Sequence, residues 1–240
     1  MSDFLLEIFS EEIPAGMQKA AAENFLKIAA EIFAKNNLTF DNSQIKTFIT
    51  PRRLTLYIYR LDTVQKIPTI RKIGPKISAD KKAIEGFLKS VGLGSEAELE
   101  KIENSGQPCY VYVKPAFEIK TTEIIQNSLP QILQKMTVAW PKLMRWDTEN
   151  GEQPRWIRPV RNIACIFGDE VIFLEFAGLK SNNLTFGRSS QALPITNAAH
   201  YQEILEDDFV MIDAKQRKQK IVTQIRKIKF DLALELVDDE

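Results

Sequence analysis

The chain has 240 residues, 44% hydrophobic and 27% charged, with 32 basic and 32 acidic side chains and a formal net charge of +0. That is enough apolar material for one large or two modest domains, and the balance of charge implies no whole-molecule attraction to nucleic acid. Two cysteines and one histidine exclude a Cys/His zinc site, and no apolar run is long enough to span a bilayer.

Met1-Ser2-Asp3-Phe4 lacks the basic region and apolar stretch of a signal peptide, so a cytoplasmic protein is the default expectation. Phe4–Phe9 is a short apolar run that reads as a buried strand, broken by Glu11-Glu12-Ile13-Pro14. A helix is expected over Ala15–Lys35, with Ala21, Phe25, Ile28 and Ile32 at helical spacing and Asn36-Asn37 as its stop. Ile45–Ile49 reads as a strand halted at Thr50-Pro51. In the next strand Leu54, Leu56 and Ile58 point one way and Arg53, Thr55, Tyr57 and Tyr59 the other.

A helix over Ser78–Val91 ends at Gly92-Leu93-Gly94, and Glu96–Lys101 suits another helical turn. Tyr110–Lys114 is a strand. Thr121–Met136 is a helix with Ile125, Leu129, Ile132 and Met136 on one face, kinked or restarted at Pro130. Asp147–Pro154 is a polar loop. Asn162–Phe167, a Gly168-Asp169 turn and Val171–Phe176 form a hairpin, followed by a short strand over Leu184–Gly187. Cys109 and Cys165 each sit in strand-like apolar runs and are expected buried and reduced. Asn197–Glu206 and Ala214–Leu236 are helical, the latter with an apolar seam at Ile221, Ile225, Ile228 and Leu232. That last pattern runs nearly to the end without a capping glycine or proline, as in a chain cut from a longer one.

These elements predict an α+β fold of mixed or antiparallel sheets packed with amphipathic helices. The expected organisation is 1–105 as a first α/β sub-domain, 106–196 as a second with a hairpin, and 197–240 as a helical segment leading onward. A short echo links Pro51-Arg52-Arg53-Leu54 and Pro159-Val160-Arg161-Asn162. Each puts an arginine two residues after a proline at the mouth of a strand. A true repeat of related sub-domains and a chance match both stay open.

Three signatures carry fixed cations: Pro51-Arg52-Arg53-Leu54, Pro141-Lys142-Leu143-Met144-Arg145-Trp146 and Arg158-Pro159-Val160-Arg161. Guanidinium stays charged and forms forked contacts with phosphate or carboxylate, and proline fixes the backbone that presents it. Arg53, Tyr57 and Tyr59 share a strand face, Arg145 abuts Trp146, and Arg155 abuts Trp156. Cations interleaved with aromatics suit RNA; a polar sheet face with tryptophans anchoring a core is the alternative. The basic stretch Lys215–Lys229 is open to the same two readings. Glu11 and Glu12 point apart on an extended segment and suit a solvated turn better than paired catalytic carboxylates. His200 suits a packed or surface position. No phosphate loop and no catalytic spacing of acid, base and nucleophile stands in the sequence.

At these residues the chain resembles a known family, the β subunits of the bacterial heterotetrameric glycyl-tRNA synthetases. Glu7-Ile8-Phe9-Ser10-Glu11-Glu12-Ile13-Pro14 stands where the family reads E-I-G-T-E-E-L-P. Pro51-Arg52-Arg53-Leu54, Lys72-Ile73-Gly74-Pro75, Lys82-Ala83-Ile84-Glu85-Gly86-Phe87, Pro141–Trp146, Trp156–Arg161 and Gly168-Asp169 follow in family order. Thr185–Ser190 departs, because Gly187-Arg188 stands where the family reads G-H-R. Only the opening part of the longer family chain is matched.

The resemblance implies a glycine–tRNA ligase of α2β2 form, charging tRNA(Gly) with ATP and magnesium at the α subunit and with no cofactor in this chain. The implied partners are the α subunit, tRNA(Gly) and a second β subunit, with no membrane. This region is then non-catalytic, supporting RNA binding and assembly. The residues expected to face RNA are Arg52, Arg53, Lys142, Arg145, Trp146, Arg158 and Arg161. The rival expectation is a pure protein–protein interaction module whose arginines meet carboxylates.

Overall fold

The N-terminal apolar run forms β1 (Ser2–Ser10), buried on both faces from Phe4 onward. A strand loses its polar alternation in this way when it lies at the centre of a sheet covered on each side. The computed structural model describes residues 1–104, 106–148, 151, 153–235 and 237. α1 (Ala15–Lys35) buries Ala21, Phe25, Ala29, Ile32 and Phe33, so Ala29 takes the place expected of Ile28. Asn37 ends it at φ 63°, a left-handed conformation asparagine tolerates. β2 (Ile45–Thr50) turns at Pro51-Arg52 into β3 (Arg53–Leu61).

Then come β4 (Val64–Ile67), β5 (Ile70–Lys76), α2 (Lys81–Val91), β6 (Glu100–Asn104), β7 (Gln107–Lys114) and β8 (Phe117–Lys120). α3 (Thr121–Ala139) runs through Pro130 as one helix, with its four expected core residues buried. β9 (Met144–Arg145) and β10 (Arg155–Trp156) form a ribbon that leads into β11 (Val160–Phe167) and β12 (Glu170–Val171). Two small hairpins follow, β13 (Glu175–Phe176) with β14 (Leu179–Lys180), and β15 (Leu184–Phe186) with β16 (Ala192–Pro194). α4 (Tyr201–Asp207) and α5 (Ala214–Asp231) complete the order.

Several elements differ from expectation. Val171–Phe176 is not one strand, because Ile172 and Leu174 turn into the core and Glu175-Phe176 pairs instead with Leu179-Lys180. Glu96–Glu98 is a 3-10 turn and the chain then becomes β6. A 3-10 turn capped by Asn197 precedes α4. α5 ends at Asp231, while Leu236 lies outside the described residues.

The fold is α+β, in two compact units: 1–63 with 120–240, and 64–119. The expected boundary at 105/106 falls inside the β6–β7 hairpin, whose strands pair from Glu100↔Val111 to Asn104↔Gln107. The one at 196/197 divides Ile195 from Ala198, Tyr201 and Leu205, which share one core cluster. In the second unit β5, β7 and β6 form an antiparallel sheet, and Ile84 and Leu88 of α2 pack with Leu99 and Tyr110.

The first unit is built on a five-stranded sheet, β12-β11-β1-β3-β2, antiparallel at every junction. One face carries Phe4, Leu6, Ile8, Leu54, Leu56 and Ile58; α1 covers it, with the Phe4 and Phe33 rings edge to face at 6.1 Å. The other face carries Leu5, Tyr57, Ala164 and Ile166 and is covered by Ile195, Ala198, Tyr201, Leu205 and Ile212. Because β3 and β11 both run antiparallel to β1, both begin at the end where β1 finishes.

Candidate nucleic-acid interface

That topology brings the segment after β1 and two proline–arginine signatures to one end of the sheet. The segment leaving β1 bonds by its backbone to both proline–arginine mouths. Ser10 N–H donates to the Arg52 carbonyl (2.8 Å), Ile13 N–H to that of Pro51 (2.5 Å) and Glu11 N–H to that of Pro159 (3.0 Å). The short echo in the sequence thus marks two strand mouths flanking β1.

The arginines at the two mouths have different fates. Arg53 is 5% exposed. Its Nε donates to Glu7 Oε2 (3.1 Å) and its Nη2 to the Phe186 carbonyl. Glu7, wholly buried, also accepts from Tyr201 Oη (2.5 Å) and Thr185 Oγ1 (2.9 Å), and Tyr201 Oη meets Thr55 Oγ1 at 3.0 Å. A buried carboxylate requires this degree of satisfaction. Arg53 is therefore buried and held by internal partners, contrary to the expectation that it faces RNA. Tyr57, on the same strand face, is buried too and donates to Asp3 (2.5 Å) and the Ala198 carbonyl (3.1 Å). Arg161, by contrast, is exposed and its Nε donates to Glu11 Oε1 (2.7 Å). A pair so open to water contributes about 0–1 kcal/mol.

The β9–β10 ribbon carries a cationic edge. In its register Arg145 lies directly opposite Arg155, and Met144 opposite Trp156. Trp156 is fully buried and packs against the rings of Trp140 (5.5 Å) and Phe176 (5.2 Å). This tryptophan is the anchor of the ribbon, not a platform for a base. Trp146 is half-buried, while Lys142, Arg145 and Arg155 are exposed. Arg158 is half-buried; its Nη1 donates to the Ile157 carbonyl (2.8 Å) and lies 3.7 Å from Met144 Sδ. Among the described residues none of these four cations has a carboxylate partner. Like charges directly opposite on a ribbon cost about 0.2–1 kcal/mol, which a phosphate lying between them would offset.

Arg52 is half-buried over the Phe9 ring, 4.7 Å from its centroid. Glu7, Thr185 and Tyr201 together form no motif in the sequence; a lone carboxylate inside an apolar strand is the one signal that points to them. Arg188 and Arg217 stand outside the three cationic signatures. Glu12 and His200 are exposed. Cys109 and Cys165 are buried and free, and burial pushes the Cys165 thiol far up. Among the described residues no group of three or more His, Cys, Asp or Glu is placed to hold a metal, and no helix is long and apolar enough to cross a membrane.

Fold and edge together define an α+β protein with an anchored cationic ribbon, a surface chemically suited to positioning phosphates. Residues 4–240 match the family described as glycyl-tRNA synthetase beta subunit. Relatives named glycine–tRNA ligase beta subunit are 36% identical over 94% of this chain and 33% of their own length in Rickettsia bellii (strain OSU 85-389), and 34% identical over 100% of this chain and 35% of their own in Rickettsia felis. The chain belongs to the glycyl-tRNA synthetase β-subunit family, and it spans about a third of the length of the curated relatives it matches.

Proposed function

We propose that this chain supports glycyl-tRNA formation by holding tRNA(Gly) through its phosphates within an α2β2 ligase. At the α subunit, in the cytoplasm, glycine and ATP would give glycyl-adenylate with release of pyrophosphate, magnesium assisting without being consumed. The observation that carries this reading is Arg145 opposite Arg155 with no carboxylate partner among the described residues. Lys142 and Arg158 extend the same edge, Arg52 and Arg161 lie at the strand mouths, and Trp146 is placed beside Arg145. This arrangement fixes register on a nucleic-acid backbone and reads little sequence.

The test is tRNA(Gly) binding to the chain across a salt series. Affinity falls steeply with salt when condensed ions are released from phosphates. Arg145→Ala and Arg158→Ala should each flatten the slope by about one unit. An unchanged slope rejects the reading.

A second reading, an assembly module for the α subunit or a second β subunit, is favoured by α5. Its seam of Ile221, Ile225, Ile228 and Leu232 is 40–63% exposed. Polar substitutions along that seam that abolish subunit association while tRNA binding persists would establish it.

A further inference from the structure

Within the first unit a cleft of about 430 Å³ opens beside the Pro51-Arg52 turn. Its volume lies within the range of small-molecule sites. Arg52, Arg188 and Arg217 line it from three separate segments, together with Arg53, Phe9 and Phe209. Arg217 is half-buried; its Nη1 and Nη2 donate to the carbonyls of Met211 (2.6 Å) and Ile49 (3.4 Å), and it forms no salt bridge among the described residues. Burial pushes its guanidinium below the ordinary value while Asp213 holds it up. Glu12 is the acidic residue of the lining, so with Arg53 taken by Glu7 the cleft keeps an excess of positive charge. Thr50 also lines it, and its buried Oγ1 has no hydrogen-bond partner among the described residues.

Phe209 is the telling residue. It follows α4 at φ 61°, with Phe209 N–H bonded to the Glu206 carbonyl (3.0 Å) and Val210 N–H to that of Leu205 (2.7 Å). This is the helix-ending turn in which glycine is the rule, since any Cβ is strained there. The ring is also 83% exposed. Neither backbone preference nor burial explains a phenylalanine at this position, and such disfavoured residues cluster at binding sites. An exposed ring beside three guanidinium groups is the arrangement on which a base stacks while its phosphate is neutralised. A carboxylate-bearing peptide would use the arginines and leave the ring idle. The approach of the Gly187-Arg188 turn depends on glycine, because a Cβ at Gly187 would collide with the Asp208 carboxylate that accepts from Arg188 N–H.

We propose that this cleft binds one unpaired nucleotide of a single-stranded RNA, with its phosphate among Arg52, Arg188 and Arg217 and its base on Phe209. The proposal rests on the RNA-holding reading above and, with Arg52 common to both, gives that function a second contact away from the ribbon.

Binding of AMP, a single-stranded RNA hexanucleotide, inorganic phosphate and hexaglutamate to the full chain is measured by calorimetry, alongside Arg188→Gln and Phe209→Gly. AMP and the hexanucleotide should bind saturably, and each substitution should weaken both about tenfold. Phe209→Gly should at the same time raise the melting temperature, because glycine suits that backbone; lost binding then cannot be lost fold. Nucleotide binding that is absent, or insensitive to both substitutions, overturns the proposal. Phosphate binding as tightly as AMP, or hexaglutamate as tightly as the hexanucleotide, also overturns it, in favour of a plain anion site or an acidic protein partner. Arg145→Ala and Arg158→Ala should leave AMP affinity unchanged. If AMP binds while these two variants keep the full salt dependence of tRNA binding, the ribbon reading fails and the cleft stands. If they flatten that dependence and AMP never binds, the cleft fails alone.

Discussion

Glu7 and Arg53 meet diagonally across β1 and β3, with Oε2 and Nε 3.1 Å apart and side-chain exposures of 0% and 6%. Their register partners are Thr55 and Phe9, so the contact is the diagonal one that long side chains make on one face of a sheet. It ties the sheet to the segment covering it, because Thr185 and Tyr201 close on the same carboxylate.

Removing one member of this pair strands the other. Arg53→Ala should destabilise the protein by about 3–5 kcal/mol. The double substitution Glu7→Gln/Arg53→Met should cost less than Arg53→Ala alone, since no buried charge is left. Urea unfolding followed by tryptophan fluorescence reads both; equal losses would show that the charge is not what matters.

The buried tyrosines set an alkaline limit. The phenols of Tyr57 and Tyr201 are pushed up, first by burial and then by Asp3 and Glu7 respectively. Above an unfolded value of about 10 the unfolded chain releases these protons and the folded chain keeps them. Stability is thus complete below about pH 10 and falls as pH rises, by about 1.4 kcal/mol per pH unit for each tyrosine. Tyr57→Phe should lower the stability at pH 7 and make the loss above pH 10 shallower. Denaturant midpoints at pH 8 and 10.5 test the slope; parallel losses in the two proteins would refute it.

Arg155→Glu should move stability and RNA binding in opposite directions. A carboxylate opposite Arg145 replaces a like-charge pair with an opposite one, a gain of about 0.2–1 kcal/mol. The same change puts a negative charge on the phosphate-facing edge, so tRNA affinity should fall. Melting temperature and filter binding on one preparation decide this, and a stabilised variant that still binds tRNA fully would exclude the ribbon as a contact.

Gly187→Ala should cost roughly 1–3 kcal/mol, because the added methyl overlaps the Asp208 carboxylate. Gly187→Ala/Asp208→Ala should recover part of the loss. Thermal melts of the two variants are sufficient, and no recovery would place the strain elsewhere.

Much of the first unit was legible because its signals are local. The bounds of α1 coincide with its periodicity and its proline start, and the core face of α3 is the expected one. β3 misled for a physical reason. Arg53, Thr55 and Tyr57 alternate with leucines as on a half-exposed strand, yet their face is closed by residues from 185 to 212, far away in sequence. Alternation reports polarity, not exposure, and a polar network can be as buried as an apolar one. The two arginine–tryptophan pairs read alike, but Trp156 is buried against Trp140 and Phe176 while Trp146 is half-buried, and Arg145 lies opposite Arg155. The cleft was invisible locally, since the arginines that line it come from three separate segments and the strain at Phe209 is a backbone property.

The ends of the 64–119 segment are already clasped within the first unit. Thr121 N–H donates to the Thr63 carbonyl at 3.0 Å, and its hydroxyl to that of Asp62. A scaffold stapled at the point of entry and exit does not need the intervening chain to keep its shape. Excising that segment and splicing 63 to 120 through a short flexible bridge should thus leave a smaller protein with the same five-stranded sheet, and other sequences should be graftable at the same seam.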